Sequence, residues 1–564
     1  MANPRILILT AGFGDGHNSA AKHLAEALDS HVDACVADPC DLGSPRTNRF
    51  LSGAYREITT YTPRVWKWIY DSTDRQDFTK PLPFLKKTED ALGKLLKAFR
   101  PDLVVSTYPF YPYPLDRHFE TLPRVPIITV VTDSMKVNAA WTRSPSDHFL
   151  VTDPHTASSL EQNGVSGEKI IVTGFPVSSR FEALPPVNQS ASIDPFRVLF
   201  FPTARSPHVK SIMRSVLESP GLPTEITVVL GRNVRRLYRR AQELKQEFPG
   251  RVKLKGWTKQ VPELLSSHHL VIGKAGGATV HESIAAQCPM LVHHIVPGQE
   301  EGNIDLLEKL GIGSLATEAN EIKSAIAGLL ADDAALWRAQ KERLAIHARP
   351  AASQDAAEFI LSLLPKKMTF LFDIGNVLLN LHFERFHDAV LPAHLDDLPE
   401  AMLSIKDPYE TGAISDEEFV SRSLNLLKSD LGPEKFTSAW QDIFSPNKPM
   451  WEVAEKLHAE GHRLILFSNT NALHAEKFLA DHEVFALFHH HHFSQDVGAI
   501  KPHPDFYQVA IDEYDLSPKE TIYLDDLPEN IATGRDFGFQ SFQYDLNDHE
   551  ACLKWLRERL VSEI

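Results

Sequence analysis

The sequence predicts an α/β protein built from doubly wound parallel sheets, three of them in succession. Three observations carry this. Short apolar runs recur along the chain, each ending in glycine or small polar residues, as fully buried parallel strands do. Helical patterns separate them. Two of the runs open into Gly-rich turns, AGFGDGHNS at 11–19 and KAGGAT at 274–279. A chain of 564 residues divides into roughly three or four domains.

The elements follow in order. RILILT (5–10) reads as a buried strand, followed by a helix from about Ser19 to Leu28. LVVST (103–107), PIITVVT (126–132), HFLVT (148–152) and KIIVTG (169–174) complete a first sheet. A second series begins at Phe196 with RVLFF. It continues through ITVVLG (226–231), VKLKG (252–256), LVIGKAGG (270–277) and MLVHHIV (290–296). ASQDAAEFILSLL (352–364) reads as the closing helix of this half. Met368 opens a third unit. The expected domains are 1–190, 191–365 and 366–564. The junction LPKKM is too short for a flexible tether, so the third unit is expected to sit against the second with restricted geometry.

The net charge of −16 argues against nucleic-acid partners, because an acidic surface repels phosphate backbones. Cys35, Cys40, Cys288 and Cys552 show no metal spacing and read as reduced thiols of a cytoplasmic protein. MANPRILILT runs straight into a strand, without the pattern of a signal peptide. No apolar run approaches the roughly 20 residues of a membrane span, so any membrane contact, expected at the inner face, is peripheral.

A Gly-rich turn at a helix N-terminus presents backbone N–H groups and a favourable dipole to an anion. Two such turns in two sheets place a diphosphate in the cleft between them. Glu282, one turn beyond Thr279, could accept both hydroxyls of a ribose; the alternative is a carboxylate that only favours the helix dipole. Gln299, Glu300, Glu301 and Asn303, in a loop after a strand, could bind sugar hydroxyls or form a solvated turn.

On these strings the first 365 residues resemble the monogalactosyldiacylglycerol synthase and processive diacylglycerol glucosyltransferase family. They are more distantly similar to the transferase that adds N-acetylglucosamine to lipid-linked peptidoglycan precursor. LTAGFGDGHNSAA, TVVTDS with Trp141, VTGFPV, VVLGRN, GWTKQVPELL, KAGGATVHE and PGQEEGN stand in family order. The resemblance implies two Rossmann-like domains of the GT-B kind, inversion at the sugar, a UDP-sugar donor and no cofactor in this half. It implies that Gly276, Gly277 and Thr279 hold the diphosphate, Glu282 the ribose, and the PGQEEGN loop the sugar. Gly14, Gly16 and Arg232 complete the implied donor set. The chain departs from the family at FPTARSPH (201–208), where relatives carry a glycine-rich loop; Thr203, Arg205 and Ser206 could serve there.

Inversion requires a base for the acceptor hydroxyl proton. His17, at the end of the first Gly loop, suits that role; otherwise it packs the loop. Asp133 is the competing base or the partner that orients His17. FLSGAYREITTYTPRVWKWIY (50–70) mixes Tyr55, Tyr61, Trp66, Trp68 and Tyr70 with Arg56, Arg64 and Lys67. KKTEDALGKLLKAFR (86–100) adds cations on an amphipathic pattern. Both could be interfacial helices facing a lipid acceptor or ordinary packed helices with snorkelling cations.

In the third unit, FDIGNVL puts Asp373 at the C-terminal end of a buried strand. HRLILF leads to Ser468 and Asn469; GAIKPHP supplies Lys501; TIYLDD ends in Asp525 and Asp526. An aspartate attacking phosphorus needs a hydroxyl to orient the phosphoryl oxygens, a lysine to offset charge, and carboxylates for Mg²⁺. All are present in order. With YETGAISDEEF and SQDVGAIKPHP, residues 368–564 resemble the haloacid dehalogenase superfamily, closest to a subgroup that includes phosphatases acting on glucose 1-phosphate. The resemblance implies Asp373 as nucleophile, Ser468, Asn469 and Lys501 around the phosphate, and Asp373, Asp525 and Asp526 around Mg²⁺. It also implies a helical cap at about 382–450. Superfamily phosphatases usually carry a second Asp two residues after the nucleophile; here stands Gly375, and loss of a general acid typically costs about 10²–10⁴-fold. The run His489–His492 reads as strand-edge histidines rather than a metal tract.

The expectation is a bifunctional enzyme: a UDP-sugar glycosyltransferase acting on a lipid or lipid-like acceptor, fused to a Mg²⁺-dependent phosphatase for a phosphomonoester. The alternatives are a glycosyltransferase with a weak phosphatase-like scaffold, a sugar-phosphate phosphatase regulated by UDP-sugar, and hydrolysis or epimerisation of the UDP-sugar.

Overall fold

A computed structural model describes the chain except residues 1–2, 74–75, 83–84, 189, 191, 204–208, 232–233, 365–366, 392–397 and 561–564, and the side chains of 47, 51, 56, 60, 63 and 234–236. The expectations for Arg56, Arg205, Ser206, Arg232 and the junction at 365–366 fall outside the described residues. The chain divides into two compact units, Asn3–Leu364 and one that takes in Pro365–Ile564.

Two six-stranded parallel sheets make the first unit. The first sheet contains β1 (Arg5–Leu9), β2 (Asp33–Ala37), β3 (Leu103–Ser106), β4 (Ile127–Val130), β5 (His148–Val151) and β6 (Ile170–Val172). Their order is β2-β1-β3-β4-β5-β6. The second contains β7 (Phe196–Phe200), β8 (Thr224–Val229), β9 (Val252–Lys255), β10 (Leu270–Lys274), β11 (Met290–His294) and β12 (Gly313–Leu315). Their order is β12-β11-β10-β7-β8-β9. Central strands β1, β3 and β4 are buried almost throughout, as parallel strands covered on both faces must be.

The helices that shape the cleft are α1 (Asp15–Leu28), α2 (Pro45–Tyr61), α3 (Pro63–Thr73), α4 (Lys86–Phe99), α5 (Gly277–Ala285), α6 (Glu301–Leu310) and α7 (Ala352–Ser362). Helix α1 begins four residues before the expected Ser19, so His17 lies in its first turn rather than at the end of the loop. The reason is local: Gly14, with φ +154°, ends the turn early and acts as N-cap. Helix α4 buries Leu92 and Leu96 against Leu7, Leu9 and Val104, so its amphipathic pattern reports core packing. Helix α7 returns to the first sheet, where Ala356, Ala357 and Ile360 share a core with Ile6, Ile8 and Leu24.

The second unit is a five-stranded parallel sheet of β13 (Thr369–Phe372), β16 (Arg463–Ser468), β17 (His490–Phe493), β18 (Thr521–Asp525) and β19 (Gln540–Gln543). Its order is β17-β16-β13-β18-β19. A small antiparallel pair, β14 (Leu379–Leu381) with β15 (Phe444–Pro446), brackets the helical insertion. Helices 383–390, 403–410, 416–427 and 433–441 enclose their own core around Phe386, Phe419, Phe436 and Trp440. In β17, His490 and His491 are exposed while His492 is buried against the Phe506 carbonyl, and among the described residues no metal-competent group includes them. The four cysteines are unpaired. Among the described residues no helix is long and apolar enough to cross a membrane.

Two candidate active sites

In the first unit, the N-termini of α1 and α5 converge on one cavity of about 190 Å³. Its walls include Gly14, Gly16, His17, Asp133, Gly276, Gly277, Thr279, Gln299, Glu300 and Asn303, all expected from the sequence. The two lobes touch at its floor. A Cβ on Gly277 would stand 2.8 Å from the Thr132 carbonyl oxygen, so only glycine lets α5 approach so closely. Nearby, His281 Nε2 meets Ser134 Oγ at 2.9 Å, and Phe175 stacks on the His281 ring at 5.1 Å.

His17 is oriented by the first lobe alone. Its Nδ1 donates to the Thr107 carbonyl at 2.6 Å, with Thr132 Oγ1 at 3.0 Å. That tautomer leaves Nε2 as the acceptor. Burial holds the imidazole down at about 4, against the pull of the Thr107 carbonyl. Asp133 is therefore not the partner that orients His17. Its Oδ2 instead accepts the Trp141 indole N–H at 2.9 Å. Burial lifts Asp133 to about 6, with Glu300 adding to the shift and Trp141 opposing it.

The sugar loop shows unequal fates for its four polar residues. Glu300 is buried between the Lys274 ammonium (2.7 Å) and the Val296 N–H (2.8 Å). Burial pushes it up and Lys274 opposes. Asn303 donates to the Ala275 carbonyl at 2.9 Å, and its Oδ1 is buried without a partner. Such an orphan acceptor is costly unless a ligand hydroxyl satisfies it. Glu301 does not line the cavity, because its carboxylate accepts the Gly298 N–H at 3.0 Å. Glu282 does not line it either; it lies deeper in α5, where burial raises it to about 7 and Lys22 is the opposing charge. Thr203 also lies off the cavity wall.

Lys274 and Tyr55 of the cavity wall escaped the sequence reading. Lys274 ends β10 and pairs with Glu300; Tyr55 looked interfacial, yet its phenol donates to Gln299 Oε1 at 2.8 Å. Neither carries a spacing signal, because each partner lies far away in sequence. Trp141, read as a family marker, lies off the cavity wall and serves Asp133.

In the second unit, Lys501 Nζ lies 2.8 Å from Asp373 Oδ1 and 2.6 Å from Asp525 Oδ2, and it is almost wholly buried. Burial alone would lower the ammonium, but Asp373 and Asp525 hold it above its ordinary range. Burial, Asp525 and Asp526 push Asp373 up to about 7 despite Lys501. Three carboxylates share one ammonium, an excess of negative charge that a divalent cation would offset.

Asp373, Asp525 and Asp526 each bring an oxygen within 4.8 Å of the others, an all-oxygen set suited to a hard cation. Their availability differs. Asp525 Oδ1 accepts from Leu527 N and Asn530 Nδ2, and Oδ2 from Lys501 and Tyr523. Four donors occupy both oxygens, so Asp525 positions Lys501, and the freer carboxylates are Asp373 and Asp526. Asn376, which follows Gly375, donates to Asp526 Oδ2 at 3.0 Å.

Ser468 is buried at the end of β16. Asn469, expected to contact phosphate, uses its side chain differently. Its Oδ1 accepts the Lys501 N–H at 2.7 Å and its Nδ2 donates to the Lys501 carbonyl at 3.0 Å. It fixes the lysine loop. Beyond Asp526 and Asn376 opens a cavity of about 530 Å³ lined by Gln543, Tyr544, Asp545, Leu546 and Asn547, with no cation among them.

The paired sheets of the first unit and the aspartate–lysine centre of the second define a class. This is an enzyme that joins a glycosyltransferase half to a phosphohydrolase half. Comparison narrows each half. Residues 17–177 match the monogalactosyldiacylglycerol (MGDG) synthase family, and residues 367–538 the haloacid dehalogenase-like hydrolase family. Over 373 residues the chain is 26% identical to the processive diacylglycerol beta-glucosyltransferase of Bacillus cereus strain AH187, covering 64% of this chain and 94% of that protein. The corresponding protein of Bacillus anthracis strain A0248 is 26% identical over 380 residues, with the same coverage of 64% and 94%. Among solved structures, Acinetobacter baumannii MurG aligns with TM-score 0.45 and 17% identity over 64% of this chain and 99% of its own. The enzyme bt-2542 of Bacteroides thetaiotaomicron aligns with TM-score 0.30 and 20% identity over 33% of this chain and 98% of its own.

Proposed function

We propose that this chain is bifunctional: an inverting glycosyltransferase that moves a sugar from UDP to a lipid or lipid-like acceptor, and a Mg²⁺-dependent phosphatase for a related phosphomonoester. The observation that carries the first half is the cavity itself. Two helix N-termini face it, an arrangement suited to a diphosphate, and a neutral imidazole stands beside them with one nitrogen committed and one open. In the proposed step the acceptor oxygen bonds to the anomeric carbon as the bond to UDP breaks. His17 Nε2 takes the hydroxyl proton. UDP leaves with the negative charge, against the N–H groups of Gly276, Gly277 and the α5 terminus. Asn303 Oδ1 would accept a sugar hydroxyl.

The lipid acceptor is supported by the α2–α3 hairpin. Phe50, Tyr61, Val65 and Trp68 are exposed there, beside Arg64 and Lys67. Rings and cations in this arrangement suit a lipid surface. The relatives named as diacylglycerol glucosyltransferases point the same way.

In the second half the free oxygen of Asp373 would attack phosphorus while the ester P–O bond breaks. Ser468 orients the phosphoryl group, and Lys501 holds the carboxylate and its growing charge. Water then releases phosphate and restores Asp373. Mg²⁺, held by Asp373 and Asp526, would supply charge neutralisation on the phosphoryl oxygens. The leaving oxygen draws its proton from water, since Gly375 offers none. The cation-free cavity beside Asp526 favours a neutral leaving group over one bearing a second phosphate.

The test is product mass spectrometry with Mg²⁺, a panel of UDP-sugars and a lipid extract, comparing wild type with Asp373→Asn. Accumulation by the variant of a phosphorylated glycoside that wild type dephosphorylates supports consecutive reactions. The same glycoside from both proteins removes the link between the halves. A second reading, a catalytically weak scaffold domain, is favoured by Gly375; absence of Mg²⁺-dependent turnover of any phosphomonoester establishes it.

A further inference from the structure

The loop carrying Gln299 and Glu300 belongs to the second lobe, yet the first lobe grips it. Three side chains of the α2–α3 hairpin reach it. Tyr55 donates its phenolic hydrogen to Gln299 Oε1 at 2.8 Å. Tyr70 lies against Gly298: a Cβ there would stand 3.0 Å from Tyr70 Cδ1, and Gly298 holds φ +85°. Lys67 Nζ is 3.8 Å from Glu301 Oε1, the oxygen that also accepts the Gly298 N–H.

The hairpin is itself held. Trp66 meets the Tyr55 ring edge to face, with centroids 4.8 Å apart at 80°. Asn138 Nδ2 donates to Thr73 Oγ1 at 2.9 Å, tying the end of α3 to the first lobe.

Tyr55 and Gln299 line the same cavity as Glu300 and Asn303. Burial keeps the Tyr55 phenol protonated, hence always a donor. A carboxamide has one oxygen and two N–H donors in a plane. Pinning the oxygen therefore fixes the direction in which the N–H groups point. We propose that Tyr55 is a specificity-determining positioning residue of glycosyl transfer: by holding Gln299 Oε1 it aims the Gln299 amide at a hydroxyl oxygen of the donor's sugar. The ligand class is a neutral hexosyl group whose hydroxyls accept from Gln299 and donate to Asn303 Oδ1. Sugar choice is then made jointly by the two lobes. This rests on the reading of the cavity as a UDP-sugar site.

The experiment measures binding of UDP, UDP-glucose, UDP-galactose and UDP-N-acetylglucosamine by calorimetry. The proteins are the full-length wild type, Tyr55→Phe, Gln299→Leu and the double variant. Phenylalanine keeps the ring on Trp66 and removes only the hydroxyl. UDP alone should bind all four proteins equally. The wild type should prefer one sugar nucleotide, and Tyr55→Phe should narrow that preference about five-fold, the worth of one hydrogen bond. In the Gln299→Leu background the same change should add nothing, because the two residues act as one unit. In turnover the loss should fall on KM for the preferred donor more than on kcat. Trp66→Leu, which loosens the Tyr55 ring without touching Gln299, should shift the preference the same way and serves if Tyr55→Phe does not fold.

An unchanged preference in Tyr55→Phe overturns the proposal. So does a Tyr55→Phe effect that persists undiminished without Gln299, or a wild type indifferent to the sugar. A wild type that does not bind UDP overturns the donor-site reading and this proposal with it; measuring UDP separately tells the two failures apart.

Discussion

Leu381 occupies the space into which a side chain at Gly375 would project: a Cβ on Gly375 would stand 2.9 Å from Leu381 Cδ1. The position two residues after the nucleophile thus faces the tip of a partly exposed apolar side chain from β14. Leu381 can turn its tip aside into solvent, so Gly375→Asp should change stability little and raise phosphatase turnover by supplying an acid. Thermal melts and phosphomonoester hydrolysis check this; a large loss of stability, or no rise in turnover, would show that the β14 side chain does not yield.

The lysine at the centre of the second site is expected to be indispensable. Lys501→Met leaves Asp373 and Asp525 facing each other in a buried pocket with no cation between them. Phosphatase activity should fall by several orders of magnitude, while Mg²⁺ should raise the melting temperature of the variant at least as much as that of wild type, because losing the ammonium leaves the three carboxylates more negative. Glycosyl transfer, housed in the other unit, should be unchanged. Absence of Mg²⁺ stabilisation in both proteins would count against this cation site.

His17→Ala should lower glycosyl transfer by about 10²–10⁴-fold, the usual worth of a positioned base. UDP affinity should change little, because on the proposed reading the diphosphate would face backbone donors. Intact turnover in this variant would move the base role to Asp133, a carboxylate on the same cavity wall.

The pH profile separates the two candidates. The imidazole, held near 4, is neutral throughout the working range, whereas Asp133 ionises through about 6. An acid limb near 6 that disappears in Asp133→Asn would assign the titration to Asp133. Stability carries the opposite sign. A carboxyl raised in the folded state favours the fold below its unfolded value of 3.8, and that contribution is lost as pH rises through about 6. Asp133→Asn should therefore raise the melting temperature at pH 7.5 more than at pH 5.

Contact between the lobes depends on another glycine. Gly302, in α6, packs directly on the Ser134 carbonyl, leaving no room for a Cβ. Gly302→Ala should spread the lobes, lowering glycosyl transfer and UDP affinity together while phosphatase activity persists. Unaltered UDP affinity would show that the lobes need not close.

Much of this was legible in the residues. Buried central strands announce themselves as continuous apolar runs, and catalytic groups at their C-terminal ends follow. Asp373, Ser468, Lys501 and Asp525 were read in order, as were His17 and the two Gly-rich turns. The strands at 33–37, 313–315 and 540–543 were not, and all three are sheet edges. QSFQ carries no apolar run, and DACVA is a short run of mostly small residues with none fully buried, so neither stands out as a strand.

By itself, the sequence determined that three parallel sheets follow one another and which strand ends carry Asp373, Ser468 and Asp525, because burial and backbone geometry impose local patterns. Tertiary structure alone decided the partners. It turned Asp133 to Trp141 rather than to His17, gave Asn469 to the lysine loop, removed Glu301 from the cavity wall, and brought Tyr55 to Gln299 across 244 positions. A polar side chain's role is set by which donors and acceptors lie within about 3 Å of it. Chain connectivity specifies that only for near neighbours; packing specifies it for the rest.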